Sequence, residues 1–83
     1  MTKYFAIHLK RKKIRVNCVS PGGIYNNLNP QSNYFINRYS KKNPLERMAN
    51  VNEIINGIIF LSSDLSSYIN GHNLVIDGGM SSW

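Results

Sequence analysis

Acidic residues, cysteines and long apolar runs are all scarce in this chain of 83 residues. One cysteine, Cys18, excludes an internal disulfide, and we expect it to be a small core residue in a reducing, cytoplasmic setting. The run from Ile54 to Leu61 is too short for a membrane-spanning helix and is interrupted by Asn56-Gly57. Met1 to Lys13 lack the apolar region of a signal peptide, because four consecutive cations interrupt them.

Only four acidic residues oppose ten basic ones, and the formal net charge is +6. The positive charge is concentrated in Lys10 to Lys13 and in Arg38 to Lys42. Basic runs can bind nucleic acid, so a small basic nucleic-acid-binding protein is one alternative. For Lys10 to Lys13 we favour the solvated end of a first helix, because cations suit the negative end of the helix dipole and no aromatic residues are interleaved with them.

Two apolar strands, each ending in a glycine turn, frame the chain. Ile14 to Val19 run into the turn Pro21-Gly22-Gly23, and Leu74 to Ile76 run into Asp77-Gly78-Gly79. A long helical pattern separates them, and a strand followed by a long crossover and a second strand favours a parallel pair with the helix on one face. The predicted fold class is therefore α/β, with the order helix, strand, helix, helix, strand.

The main helix is predicted from Val51 to Ser62, with Asn50 as its cap and Glu53 completing a capping box. Large apolar residues recur on one stripe of it; they are Val51, Ile54, Ile55, Ile58 and Ile59. Weaker patterns predict four further features. The first is a helix from Thr2 to about Arg11 with Met1, Phe5, Ala6 and Leu9 toward the core. The second and third are a polar loop from Asn26 to Asn33 and the helix that follows it, from Ser32 to Lys41. The fourth is a short helical turn from Asp64 to Tyr68 that Asn70-Gly71 ends.

A chain of this length forms one domain at most and hides only about 60% of the surface that its unfolded form exposes. A two-stranded parallel sheet leaves both edges open. We therefore expect residues 1–83 to be a single partial domain that folds loosely, aggregates or depends on another polypeptide.

The spelling and order of five segments resemble the C-terminal third of the short-chain dehydrogenase/reductase family. Each segment alone is weak evidence, but their order and separations together are a strong signal. The segments are IRVNCVSPGGI at Ile14 to Ile24, NPLERMANVNEI at Asn43 to Ile54, IIFLSSDLSSYI at Ile58 to Ile69, the pair Asn70-Gly71, and LVIDGG at Leu74 to Gly79. The resemblance implies the C-terminal portion of a Rossmann-like, doubly wound parallel sheet that binds NAD or NADP.

Two functional features of that family have no counterpart here. One is the glycine-rich cofactor loop after the first strand. The other is the catalytic Tyr-x-x-x-Lys pair, since none of the five tyrosines is followed four residues later by lysine. No catalytic residue is therefore predicted in this chain, and no metal site is predicted either, because His8 and His72 have no ligand partner at metal spacing. We expect the chain alone to be inactive and to have been separated from an N-terminal half.

The turn after the first strand is the predicted binding site. Ligands of open α/β sheets bind at the carboxyl ends of the strands, and glycines let backbone approach a ligand closely. From spacing alone, Pro21, Gly22, Gly23 and Ile24 could equally form an ordinary strand-to-loop turn. The resemblance implies that they contact the nicotinamide carboxamide, with Ile24 supplying an N–H, and that Asn26 stands where the family usually carries a phosphate-binding Thr.

Three functions follow from these observations. The first is a C-terminal segment of an NAD(P)-dependent oxidoreductase of this family, contributing part of the nicotinamide site, a substrate lid and a subunit interface. Its substrate would be a small-molecule carbonyl or alcohol, and its partner an N-terminal half or a homologous subunit. The second is an interaction module that pairs with a full-length relative, and the third is the nucleic-acid binder.

Overall fold

The computed structural model describes all 83 residues and contains a two-stranded parallel sheet with three helices. The strands are β1 (Cys18–Pro21) and β2 (Asn73–Ile76), paired in register from Cys18 opposite Asn73 to Pro21 opposite Ile76. The helices are α1 (Thr2–His8), α2 (Asn33–Lys42) and α3 (Val51–Ser62). Short 3-10 turns follow at Lys10–Lys12, Asp64–Ser66 and Met80–Ser82. The predicted α/β class, element order and parallel direction are confirmed.

Helix α3 begins where its capping box predicts. The Asn50 side chain accepts the N–H of Asn52 at 2.9 Å, and the Glu53 carboxylate accepts the N–H of Asn50 at 2.9 Å. These bonds satisfy N–H groups that a helix start otherwise leaves without partners. Further along, Gly57 lets the helix approach β2 closely, since a Cβ there would collide with Ile76 Cδ1.

The first strand is shorter than predicted, because side-chain amides replace the strand ladder at its start. The N–H of Val16 donates to Asn70 Oδ1 at 2.9 Å, and the N–H of His72 donates to Asn17 Oδ1 at 2.9 Å. Regular pairing begins only at Cys18. The segment from Ile14 to Asn17 is thus held beside the start of β2 without forming part of the sheet.

Other boundaries shift by one to three residues. Helix α1 ends at His8 and not near Arg11, because Leu9 already has φ −96° and ψ 9° and a 3-10 turn follows. Helix α2 begins at Asn33, since Ser32 is its cap and accepts the N–H of Phe35 at 3.2 Å. The turn predicted from Asp64 to Tyr68 is helical only from Asp64 to Ser66.

The apolar core is very small. Only Ala6, Met48 and Ile54 are buried among the hydrophobic residues. Of the predicted α3 stripe, Ile54 is buried, whereas the other four members are 43–59% exposed. Met1 and Phe5, expected to face the core, are exposed in this chain, whereas Leu9 and Cys18 are half-buried.

Arg15 is the chief polar support behind the sheet. Its guanidinium donates to Ser66 Oγ and to the carbonyls of Ile69 and Ser63, each at 3.1 Å. Ser66 is almost completely buried, at 1% exposure. The bonds tie the start of the β1 segment to the turn that follows α3, and they add a charged donor to carbonyls that also accept from Asn17 and Ser66.

The chain is expanded for its size. It exposes 6549 Å² and has a radius of gyration of 15.5 Å. A compact monomer of this mass exposes about 5,000 Å² and has a radius of gyration of about 12 Å. The excess surface includes many large apolar side chains, among them Leu28, Leu65 and Tyr68. None of the helices combines the length and the hydrophobicity that crossing a bilayer requires.

Candidate functional site

The two glycine turns lie side by side, because the strands that lead into them run in the same direction. The N–H of Gly22 donates to the carbonyl of Ile76 at 2.9 Å and so extends the pairing one residue past β1. A Cβ on Gly22 would stand 2.9 Å from the Cα of Asp77. Glycine is therefore required where the two chain segments leave the sheet, and the site is an edge shared by both strands.

Ile24 carries the one N–H of the Pro21-to-Ile24 turn that has no acceptor in the chain. Proline has no N–H, and that of Gly22 is used by β2. The N–H of Gly23 donates to the hydroxyl oxygen of Tyr39 at 2.7 Å. No hydrogen bond within the chain uses the Ile24 N–H. Because buried backbone N–H groups are normally paired, a half-buried N–H without an acceptor in the chain is a candidate donor to a ligand.

The peptide groups around Ile24 are fixed by an isolated parallel bridge to Ala49. The N–H of Tyr25 donates to the Ala49 carbonyl at 2.9 Å, and the Ala49 N–H donates to the Gly23 carbonyl at 2.8 Å. The carbonyl of Ile24 accepts Nε2 of Gln31 at 2.8 Å. These bonds restrict the rotation of the peptide groups on both sides of the Ile24 N–H. The direction of this N–H is therefore set by Gln31 and Ala49.

Asn26 lies just beyond the turn, and only the oxygen of its side-chain amide makes hydrogen bonds within the chain. Its Oδ1 accepts the N–H groups of Leu28 and Asn29 at 3.0 and 3.1 Å. This arrangement is a local turn of the kind that asparagine commonly forms. The Nδ2 group donates to nothing within the chain, so its two hydrogens remain available to an acceptor such as a phosphate oxygen.

Asn43 joins the end of α2 to the end of β2. It is 3% exposed, and its Nδ2 donates to the Asp77 carbonyl at 2.8 Å while its Oδ1 accepts the N–H of Leu45 at 2.9 Å. Asp77 in turn caps the last residues: its carboxylate accepts the N–H groups of Ser81 and Gly79, each at 2.9 Å. Donation by Ser81 is the main reason that the pKa of Asp77 lies below its usual value.

A bidentate ion pair closes the side of the site nearest α3. Arg47 donates to both oxygens of Glu53, at 2.7 and 2.8 Å. The hydrogen bonds from Arg47, followed by the one from the N–H of Asn50, lower the pKa of Glu53 to about 2. Both partners are substantially exposed to solvent, so the pair fixes local geometry more than it stabilises the fold.

A small cleft of about 90 Å³ lies between these groups, lined in part by Gly23, Tyr39, Asn43 and Asp77. Its volume suffices for a few water molecules only. No group of three or more His, Cys, Asp or Glu side chains is placed to share a metal ion.

Residues 1–81 match a family model described as Enoyl-(Acyl carrier protein) reductase. A solved short-chain dehydrogenase from Leptospira borgpetersenii with bound NAD+ is 50% identical, covers 96% of this chain and superposes with a TM-score of 0.87. The chain belongs to the short-chain dehydrogenase/reductase family. The family resemblance and the Rossmann-type α/β fold expected from the sequence are thereby confirmed.

Curated relatives show how much of the family's length this chain represents. The 3-oxoacyl-(acyl-carrier-protein) reductase of Buchnera aphidicola is 42% identical over 79 residues, which are 94% of this chain and 32% of that protein. D-arabinitol 2-dehydrogenase (ribulose-forming) of Candida tropicalis is 39% identical over 99 residues, covering all of this chain and 34% of that protein. The chain thus spans about a third of these relatives. None of the matches supports the nucleic-acid alternative.

The structure brings four of the five predicted cofactor residues into one turn, Pro21 to Ile24, with Asn26 at its exit. The sequence does not predict Tyr39, whose hydroxyl accepts the Gly23 N–H of this turn, or Asn43, whose amide donates to Asp77 in the neighbouring turn. Both come from the end of α2, and their contacts reach across 16 and 34 residues of chain. The available signal was Asn43 itself, a polar residue directly before the proline that ends the helix.

Proposed function

We propose that this chain forms the nicotinamide-side wall of the active site of an NAD(P)-dependent short-chain dehydrogenase/reductase. The observation that supports this most is the free N–H of Ile24 at the carboxyl edge of a parallel sheet, held in place by bonds to its neighbours. A nicotinamide carboxamide oxygen would accept this N–H. The Nδ2 group of Asn26 would donate to a phosphate oxygen of the same nucleotide, and Pro21, Gly22 and Gly23 would allow close approach.

When bound, the nicotinamide supplies hydride transfer, and this chain's part is to bind and orient it. Helix α2 follows the turn and would cover the substrate as a lid. The substrate class would be a small carbonyl compound or alcohol. Two relatives are named for reactions of this class, a 3-oxoacyl reductase and an arabinitol dehydrogenase. No proton-transferring group is assigned here, because the Tyr-x-x-x-Lys pair is not among these residues.

The same proposal includes a partner that provides the rest of the family's pattern, either an N-terminal half or a homologous subunit. Support comes from the exposed surface: the chain shows 6549 Å² where a compact monomer of its mass shows about 5,000 Å². The edge of β1 that faces away from β2 is also unpaired, since the sheet contains two strands only. An added strand would pair there and cover one of the open edges.

The activity experiment uses the chain alone and the chain co-expressed with the part of the Leptospira dehydrogenase that precedes the matched region. We expect no oxidation of NADH or NADPH by the chain alone and measurable oxidation, with a panel of ketones, by the assembly. Turnover by the chain alone would refute the assignment of catalysis to the partner. An assembly that forms but never oxidises either nucleotide would refute the proposed function.

The binding experiment follows the Ile24 amide by NMR in the 15N-labelled chain within that assembly. NAD+ or NADP+ should shift the Ile24 resonance, because its N–H gains an acceptor. ADP-ribose is the matched control, since it lacks the nicotinamide and should leave this resonance in place. Equal shifts with both ligands would show that the turn does not meet the carboxamide.

A further inference from the structure

Tyr39 is the side chain that joins α2 to the Pro21-to-Ile24 turn. Its hydroxyl oxygen accepts the Gly23 N–H at 2.7 Å and, more weakly, the Asn43 amide at 3.5 Å. Its ring lies over Gly23, where a Cβ would stand 2.6 Å from Cζ and 2.7 Å from Cε2. Real Cβ atoms do not approach other atoms so closely, so the ring occupies the space that a side chain at position 23 would need.

The two glycines of the turn are required for space and not for backbone conformation. Neither Gly22 nor Gly23 has a φ in the left-handed region, so other residues could adopt their backbone angles. The obstacle differs between them. At Gly22 the three nearest atoms are the Cα and Cβ of Asp77 and the hydroxyl oxygen of Tyr39, all at 2.9 Å, whereas at Gly23 all three nearest atoms belong to the ring of Tyr39. The absence of a side chain at Gly23 therefore leaves the space that the ring of Tyr39 fills.

We infer that Tyr39 is a positioning residue for the turn. Its hydroxyl fixes the Gly23 amide and its ring fills the place of a side chain there, so that Ile24 is left with the free donor and α2 is held over it. The relevance to catalysis rests on the proposed function, in which the Ile24 N–H meets the nicotinamide. The contact itself is a property of the chain without any ligand.

Tyr34, on the same helix, offers a matched comparison. It is 69% exposed, and its hydroxyl accepts the Arg38 guanidinium at 2.7 Å with no bond to the turn. Removing its hydroxyl changes the same chemistry on the same helix, but away from Gly23. An effect confined to Tyr39 would therefore come from the contact with the turn and not from the loss of a tyrosine in α2.

The first measurement is site-resolved hydrogen exchange of the Gly23 amide in the 15N-labelled chain within the co-expressed assembly. Tyr39→Phe should speed exchange at Gly23 about tenfold, because the amide loses its acceptor while the ring remains. Tyr34→Phe should leave it unchanged. A Gly23 amide that exchanges in the unmodified chain as fast as in denaturant, or equal rates in the two variants, would overturn the inference.

The second measurement is selective rescue, followed through the urea midpoint of the same assembly at one fixed concentration. Trp83 is a suitable probe, since its indole N–H donates to the carbonyl of Lys42 at the end of α2 at 2.8 Å. Gly23→Ala should lower the midpoint, and adding Tyr39→Ala should recover part of the loss. Adding Tyr39→Ala to Gly22→Ala should recover a smaller part, because it removes the Tyr39 hydroxyl but leaves the Cα and Cβ of Asp77 blocking that position.

Additive effects of Gly23→Ala and Tyr39→Ala would overturn the inference, because residues in contact are expected to couple. Rescue of both glycine variants alike would also overturn it, since the effect would then be general loosening. Neither experiment contains a nucleotide. They can therefore succeed while the proposed cofactor role fails, or fail while that role stands.

Discussion

The chain is expected not to persist as a free monomer, and the size of its exposed surface explains why. It shows roughly 1,500 Å² more surface than a compact monomer of its mass. If a little over half of this excess is apolar, as on protein surfaces generally, covering it would contribute on the order of 20 kcal/mol before the costs of association. Those costs are about 4–15 kcal/mol. Natural domains retain only about 5–15 kcal/mol in total, so a partner decides whether this chain is stably folded.

The assay compares the chain alone with the chain co-expressed with the N-terminal portion of the Leptospira dehydrogenase. Alone, it should elute from a sizing column earlier than a monomer of its mass, because it associates. It should also enhance the fluorescence of a hydrophobic dye such as ANS. Co-expression should give one defined assembly and abolish most of the dye signal, because the exposed faces of α3 and the open edge of β1 become covered. A monodisperse monomer that unfolds cooperatively without binding dye would refute this reasoning.

Three further predictions concern single side chains, each measured as the urea midpoint of the co-expressed assembly at a fixed concentration. The pKa of Glu53 is lowered to about 2, so the stability that its ion pair contributes is fully present above the pKa of the unfolded chain and is lost as the pH falls from about 5 to about 2. Glu53→Gln should therefore flatten that part of the stability profile. An unchanged slope would contradict the assignment of the pH dependence to Glu53. Asn43→Ala should destabilise by about 2–3 kcal/mol, because a buried amide with two backbone partners is lost, whereas the exposed Asn27→Ala should change stability by less than about 0.5 kcal/mol. Arg15→Met should cost about 2 kcal/mol because three hydrogen bonds from a charged donor are lost, and a similar cost for Arg11→Met, which has no such bonds, would show that only charge matters.

Much of the fold follows from local patterns that the tertiary structure leaves unchanged. The start of α3 at Val51 was predictable because Asn50 and Glu53 satisfy its first N–H groups through short-range bonds. The parallel direction of β1 and β2 was predictable because a long helical crossover joins them. The location of the candidate site at Pro21 to Ile24 rests on the same logic, since strand ends of a parallel sheet share one edge. Its binding role remains a prediction.

Only the tertiary structure decided which faces are covered and which groups brace the turn. Periodicity places Ile55, Ile58 and Ile59 on one apolar stripe of α3, but it cannot show that no layer packs on this stripe. Burial depends on which other parts of the structure lie against the helix. The contact between Tyr39 and Gly23 is likewise invisible in sequence, since it depends on how α2 returns to the sheet across 16 residues. The amino-acid sequence by itself determined the elements, their order and the family. The three-dimensional packing determined which N–H groups of that turn are paired. Those of Gly22 and Gly23 donate to Ile76 and Tyr39, which are distant in sequence, and the Ile24 N–H has no acceptor in the chain.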